Sequence, residues 1–101
     1  MRAAFVYDSG FLKYDFGPSH PLRPERLSKT RGLIEALGGF NCNCREVSPR
    51  AARETELIGT HSLEYLREIQ RLSASKGRLF SRGYGFEFPD NPPFTGMWEA
   101  S

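Results

Sequence analysis

The sequence predicts the opening of an α/β domain, and three observations predict it. A short apolar run, Ala3-Ala4-Phe5-Val6-Tyr7, stops at Asp8-Ser9-Gly10 and reads as a strand buried on both faces. A helix follows over residues 24 to 37, and a second short strand, Cys44-Arg45-Glu46-Val47, is broken by Ser48-Pro49. The amphipathic pattern over 63 to 74 then gives a further helix, so strands and helices alternate as in a parallel sheet with helical crossovers. Two short strands cannot make such a sheet with both faces covered. The expectation is one domain, of which residues 1–101 are the N-terminal part, folding only marginally without the rest.

Residues 8 to 23 read as a long loop, and loops of that length inside a compact domain are usually functional. Gly17, Pro18, Pro21 and Pro24 hold it in bends. Pro24 suits the first helical position, where its missing N–H costs nothing, and Glu25 meets the positive helix end. Gly38-Gly39 supply a left-handed stop. On the helical wheel Arg26, Thr30, Leu33 and Leu37 form one stripe, flanked by Leu27 and Ile34. That stripe is expected to be buried. Its guanidinium must then either be paired and hydrogen-bonded or snorkel to solvent from the helix start.

Farther along, a short helix near 53 to 59 leads to His61-Ser62, and Ser62 can cap the next helix. In that helix Tyr65, Leu66, Ile69 and Leu72 share one face and Glu64, Arg67, Glu68 and Arg71 the other. Residues 76 to 96 are rich in Gly and Pro and read as a second long loop. Met97-Trp98-Glu99-Ala100-Ser101 looks like the first turn of another helix.

Composition excludes several classes of function. With 39% hydrophobic and 26% charged residues in 101, the chain is globular in type. A formal charge of +2 with no cluster of Lys and Arg gives no footprint for nucleic acid. The aromatic, basic stretch from Lys76 to Tyr84 is better explained as a loop with solvated charges than as a single-strand binder. No apolar stretch is long enough to span a membrane, and the N-terminus lacks a signal peptide's pattern. Cys42 and Cys44, one residue apart, are poorly spaced for a structural disulfide, so a reducing cytoplasm is the expected setting. They could in principle join His20 and His61 around a metal, but no short paired spacing supports it.

Three motifs, YDFGPSHPLRPERL, THSLEYL and DNPPFTGMWEA, stand in an order and spacing that closely resemble the start of the histone deacetylase family. The nearest branch is that of the acetoin-utilization and acetylpolyamine-amidohydrolase proteins. The resemblance covers nearly all of the chain but only about the first third of a family domain. It implies the N-terminal portion of an arginase/deacetylase-type parallel sheet with flanking helices. It also implies zinc-dependent hydrolysis of acetyl-lysine, or of a related acetylated amine, by the whole protein.

That chemistry needs three protein ligands around an open zinc position, a proton-accepting His and an oxyanion donor. The family's His-His pair and Asp-x-His motif are missing. His20 and His61 are far apart, and Asp8, Asp15 and Asp90 precede Ser-Gly, Phe-Gly and Asn-Pro. Hence no catalytic or metal-binding residue is expected within 1–101, and the Zn2+ ligands are expected downstream. By resemblance, His20 and Pro21 match the rim of the acetyl-lysine tunnel. Arg26 matches an internal Arg of the pocket floor, on the channel for the acetate product. Asp90 matches the loop carboxylate that grips backbone N–H groups of a peptide substrate. His61 and Tyr65 match a signature with a structural role. Ser19 stands where the family most often has Gly, and Phe86-Glu87-Phe88-Pro89 replaces a more Gly-rich approach, so substrate preference stays open. The competing reading is a catalytically inactive interaction module.

Overall fold

A computed structural model describes residues 2–76, 81 and 83–101. The element order is β1 (Ala3–Val6), a 3₁₀ turn (Ser9–Lys13), α1 (Glu25–Ala36), β2 (Cys44–Val47), α2 (Glu54–Leu57), α3 (Leu63–Ala74) and α4 (Met97–Ala100). β1 and β2 pair in parallel, with Ala3 opposite Cys44 and Val6 opposite Val47, and α1 provides the crossover that parallel pairing requires. The chain is thus an α/β structure with a two-stranded parallel sheet.

Each helix boundary has a local cause. Pro24 precedes α1 with helical φ and ψ, and Gly38, at φ +68°, takes the left-handed turn that ends it. Ser62 caps α3 by accepting a hydrogen bond from the Tyr65 N–H at 3.2 Å. Its predicted inner face is the real one, with Leu66 and Leu72 buried and Tyr65 and Ile69 half-buried. α4 packs on α3 through Ser73, whose buried hydroxyl donates to Glu99 Oε2 and accepts from the Trp98 N–H, both at 3.1 Å.

Three expectations fail. The loop over 8 to 23 contains the 3₁₀ turn, which Asp8 starts by accepting from the Gly10 N–H at 2.7 Å. Secondly, the stripe Arg26–Thr30–Leu33–Leu37 is not the inner face of α1. All four residues are exposed, Leu33 by 60% and Leu37 by 77%. The helix instead turns Leu27, Arg31 and Ile34 inward. Arg31 Nε donates to Glu46 Oε2 on β2 at 2.7 Å and Nη1 to Glu35 Oε2 at 2.6 Å, and its guanidinium lies over the Phe40 ring. The inward face of α1 thus carries Leu27, Ile34 and this ion pair, not the leucine stripe. The strand expected to be covered on both faces is also largely exposed, Val6 by 52%.

The described hydrophobic core is small: Leu66, Leu72 and Met97. The radius of gyration is 16.3 Å, against about 13 Å for a compact domain of 100 residues. The exposed area is 7605 Å², against about 5800 Å² for a compact monomer of this mass. The molecule is a slab of 46 × 35 × 18 Å with broad uncovered faces. Most of the basic, aromatic stretch over 76 to 84 lies outside the described residues. Among the described residues no helix is long and apolar enough to cross a membrane.

Candidate functional site

The segment 14–23 folds back on itself around one arginine. Asp15 Oδ1 accepts from the Gly17 N–H at 2.8 Å, closing a side-chain turn that Gly17 completes at φ +101°. Arg23 Nη1 donates to the same Asp15 Oδ1 at 2.9 Å and to the Gly17 carbonyl at 2.5 Å, while Nη2 donates to Glu25 Oε1 at 2.9 Å. The planar fork therefore joins the start of the loop to the first turn of α1, which a single ammonium could not do. Glu25 is held below the usual carboxylate range by its own backbone N–H and by Arg23. Arg23 in turn is raised further by its bond to Glu25.

This turn presents His20. Its N–H donates to the Gly17 carbonyl at 3.1 Å, so that carbonyl is shared between His20 and Arg23. Its ring Nδ1 accepts from the Leu22 N–H at 3.0 Å, and Nε2 lies 2.9 Å from the Asp90 carbonyl. An Nδ1 that accepts leaves the proton on Nε2, which donates to Asp90. His20 and Asp90, both expected from the sequence to be substrate-binding residues, stand 70 positions apart and are in direct contact.

Aromatic rings fill the space behind that bond. Phe16 lies 4.5 Å from the His20 ring, and Tyr14, Phe16 and Phe94 meet edge to face at 5.1 to 5.7 Å between centroids. Such edge contacts add about 0.5–1.5 kcal/mol each beyond burial. Burial, with nearby Tyr65 adding, raises the Tyr14 hydroxyl above its ordinary pKa, so it stays a neutral hydrogen-bonding group.

Asp90 itself lies in a turn in which the Asn91 N–H donates to the Phe88 carbonyl at 3.1 Å, with Pro89 as the second residue. Proline fits that position because its φ is already set. The Asn91 side chain adds a bond to the Gly85 carbonyl at 3.3 Å. The Asp90 carboxylate is exposed and has no hydrogen-bond partner among the described residues. The carboxylate thus faces solvent at the tip of a proline-containing turn.

The other predicted site residues are not gathered here equally. Pro21 adjoins the clasp and is exposed. Arg26 is also exposed, and the guanidinium that bonds the loop's backbone is Arg23. Sequence reasoning missed Arg23 and the Tyr14–Phe16–Phe94 cluster. The signal was there in Asp15-Phe16-Gly17, a side-chain turn with aromatics alternating about it, which must close on a donor. Away from the clasp, an open groove of about 890 Å³ runs between the 3₁₀ turn and α3, lined by Phe11, Tyr14, Tyr65, Ile69, Phe86 and Trp98 among others. His20, Arg26 and Asp90 do not line it.

Among the described residues no group of three His, Cys, Asp or Glu side chains could hold a metal ion. Cys42, in the turn before β2, and Cys44, the first residue of β2, are free thiols. These residues do not compose a zinc site.

Comparison with known proteins finds partial relatives. The chain is 30% identical over 100 residues to the acetoin utilization protein AcuC of Bacillus subtilis, which covers 98% of this chain and 26% of the relative. It is 32% identical over 79 residues to histone deacetylase 9 of Arabidopsis thaliana, and 27% identical over 100 residues to type-1 histone deacetylase 1 of Dictyostelium discoideum. Those matches cover 78% and 96% of this chain but 18% and 20% of the relatives. Over most of its length the chain is similar to the acetoin utilization protein and to histone deacetylases. It spans about a quarter of AcuC and about a fifth of the plant and amoebal relatives. No family model and no solved structure matches it.

Proposed function

We propose that this chain is the N-terminal, rim-bearing segment of a zinc-dependent deacetylase that hydrolyses acetyl-lysine or a related acetylated amine in the cytoplasm. In this reading the fold is the arginase/deacetylase type, and β1 and β2 belong to its parallel sheet. The small core, the 7605 Å² of exposed area and the bare leucine stripe of α1 all favour surfaces that other segments cover. The Zn2+ ligands and the proton-transfer groups come from sequence outside residues 1–101. This chain contributes recognition instead of bond cleavage.

The observation that carries the reading is the free Asp90 carboxylate at the tip of a turn held against His20. An extended peptide crossing this edge offers successive N–H groups, and a carboxylate accepts two of them without moving a proton. Charge-assisted bonds of that kind are worth about 1.5–3 kcal/mol each. His20 and Pro21 form the adjoining rim. Arg26, exposed in this chain, would be covered at the pocket floor in the complete domain.

The test is a graft. Residues 1–101 replace the matching segment of the Bacillus subtilis relative, and hydrolysis of an acetylated lysine peptide is measured with and without a zinc chelator. The expected result is chelator-sensitive turnover by the graft and none by the 101-residue chain alone. A folded graft without activity, or zinc-dependent hydrolysis by the isolated chain, would refute the assignment.

A further inference from the structure

We infer that His20 is a positioning residue: it serves Asp90 by holding the Asp90 peptide from behind, and does not itself contact substrate. The inference rests on the reading of Asp90 as a peptide grip. Both ring nitrogens of His20 are already engaged, Nδ1 by the Leu22 N–H at 3.0 Å and Nε2 by the Asp90 carbonyl at 2.9 Å. One face of the ring lies against Phe16. No nitrogen is left for a ligand or for proton transfer without breaking a bond that shapes the loop.

What His20 grips matters as much as what it lacks. It bonds the backbone carbonyl of Asp90, leaving the carboxylate free while fixing the peptide plane beside it. The His20 backbone is itself held, because its N–H shares the Gly17 carbonyl with Arg23. A continuous line of bonds thus runs from Glu25 on α1 through Arg23, Gly17 and His20 to Asp90. Shifting a gripping group by about 1 Å can cost a hundredfold in rate, so a rigid mount for the carboxylate has a functional consequence.

Isosteres separate the two nitrogens. A glutamine amide nitrogen reaches the position of Nε2, whereas an asparagine amide reaches only that of Nδ1. The experiment uses the labelled 101-residue chain and reads the His20 ring nitrogens, the Asp90 carbonyl carbon and exchange of the Asn91 amide by NMR. The wild-type ring should show the neutral form with its proton on Nε2. His20→Gln should keep the Asp90 carbonyl shift, while His20→Asn and His20→Ala lose it. In those two, Asn91 should exchange about tenfold faster, the size expected for one net hydrogen bond. A wild-type ring with its proton on Nδ1, or averaged between the nitrogens, would overturn the inference. So would a Gln variant that behaves like Ala. These signals do not depend on catalysis: if the peptide-grip reading alone were wrong, they would stand and only the Asp90 variants of the graft would fail to respond.

Discussion

The clasp between residues 14–23 and 85–94 and the sheet half formed by β1, α1 and β2 are built on opposite terms. In the clasp, charge, backbone bonds and rings close on one another: Arg23 spans Asp15, Gly17 and Glu25, and Phe16 and Phe94 pack behind the His20–Asp90 bond. In the sheet half, Leu33, Leu37 and Val6 face outward, and the partly exposed Arg31–Glu46 ion pair ties the helix to β2. The difference teaches where the chain is self-sufficient. The clasp closes on its own polar and aromatic groups, while the sheet half leaves apolar side chains exposed.

The largest expected effect breaks the small core between α3 and α4. Leu72 is fully buried, so Leu72→Ala should cost about 2–3 kcal/mol and abolish cooperative denaturant unfolding of so thin a structure. Leu33→Asp, on the bare face of α1, should change stability of the isolated chain by less than about 0.5 kcal/mol. The same substitution in the graft should be strongly destabilising, and equal effects in both settings would mean that nothing covers α1.

The next effect contrasts two arginines three positions apart. Arg23→Lys cannot bridge Asp15 and Glu25 together, so amide exchange at Gly17 and His20 should quicken. Arg26→Lys should leave those amides unchanged. If Arg26 rather than Arg23 governed them, the description of the clasp would be wrong.

The smallest effect lies on the surface. Glu56, held by Arg50 and by the Arg53 N–H, and Glu68, held by Arg71, titrate at about 2 rather than 4.5. A carboxyl depressed on folding contributes stability that is complete above its unfolded value and is lost as the pH falls toward 2. Carboxyl NMR titration should therefore show both midpoints well below 4.5, and Arg50→Ala should move only that of Glu56 upward.

The elements that were legible in the sequence are those whose signals are local. α3 announces itself by Ser62 and a four-residue apolar face, and β2 by a short run ended by Ser48-Pro49. The rotation of α1 was not legible. Its wheel places apolar residues on two adjacent stripes, and the stripe turned inward is the one beside Arg31, whose partner Glu46 lies on β2 and is not adjacent in sequence. His20 and Asp90 could be singled out from motifs, but their meeting could not, because the His20–Asp90 bond joins segments 70 residues apart. Arg23 escaped notice because its importance lies in the shape of Asp15-Phe16-Gly17, not in any spacing.

The central claim is that Asp90 grips the backbone of a peptide, and the graft tests it most directly. Asp90→Asn keeps the shape and removes the charge, while Asp90→Ala removes both acceptors. On an acetylated peptide, Ala should lower kcat/KM by roughly ten- to a hundred-fold, with Asn intermediate. On a small acetylated amine with no backbone to hold, the loss should be much smaller. Unchanged peptide turnover by Asp90→Ala, with fold and zinc content intact, would make Asp90 a turn residue and contradict the account.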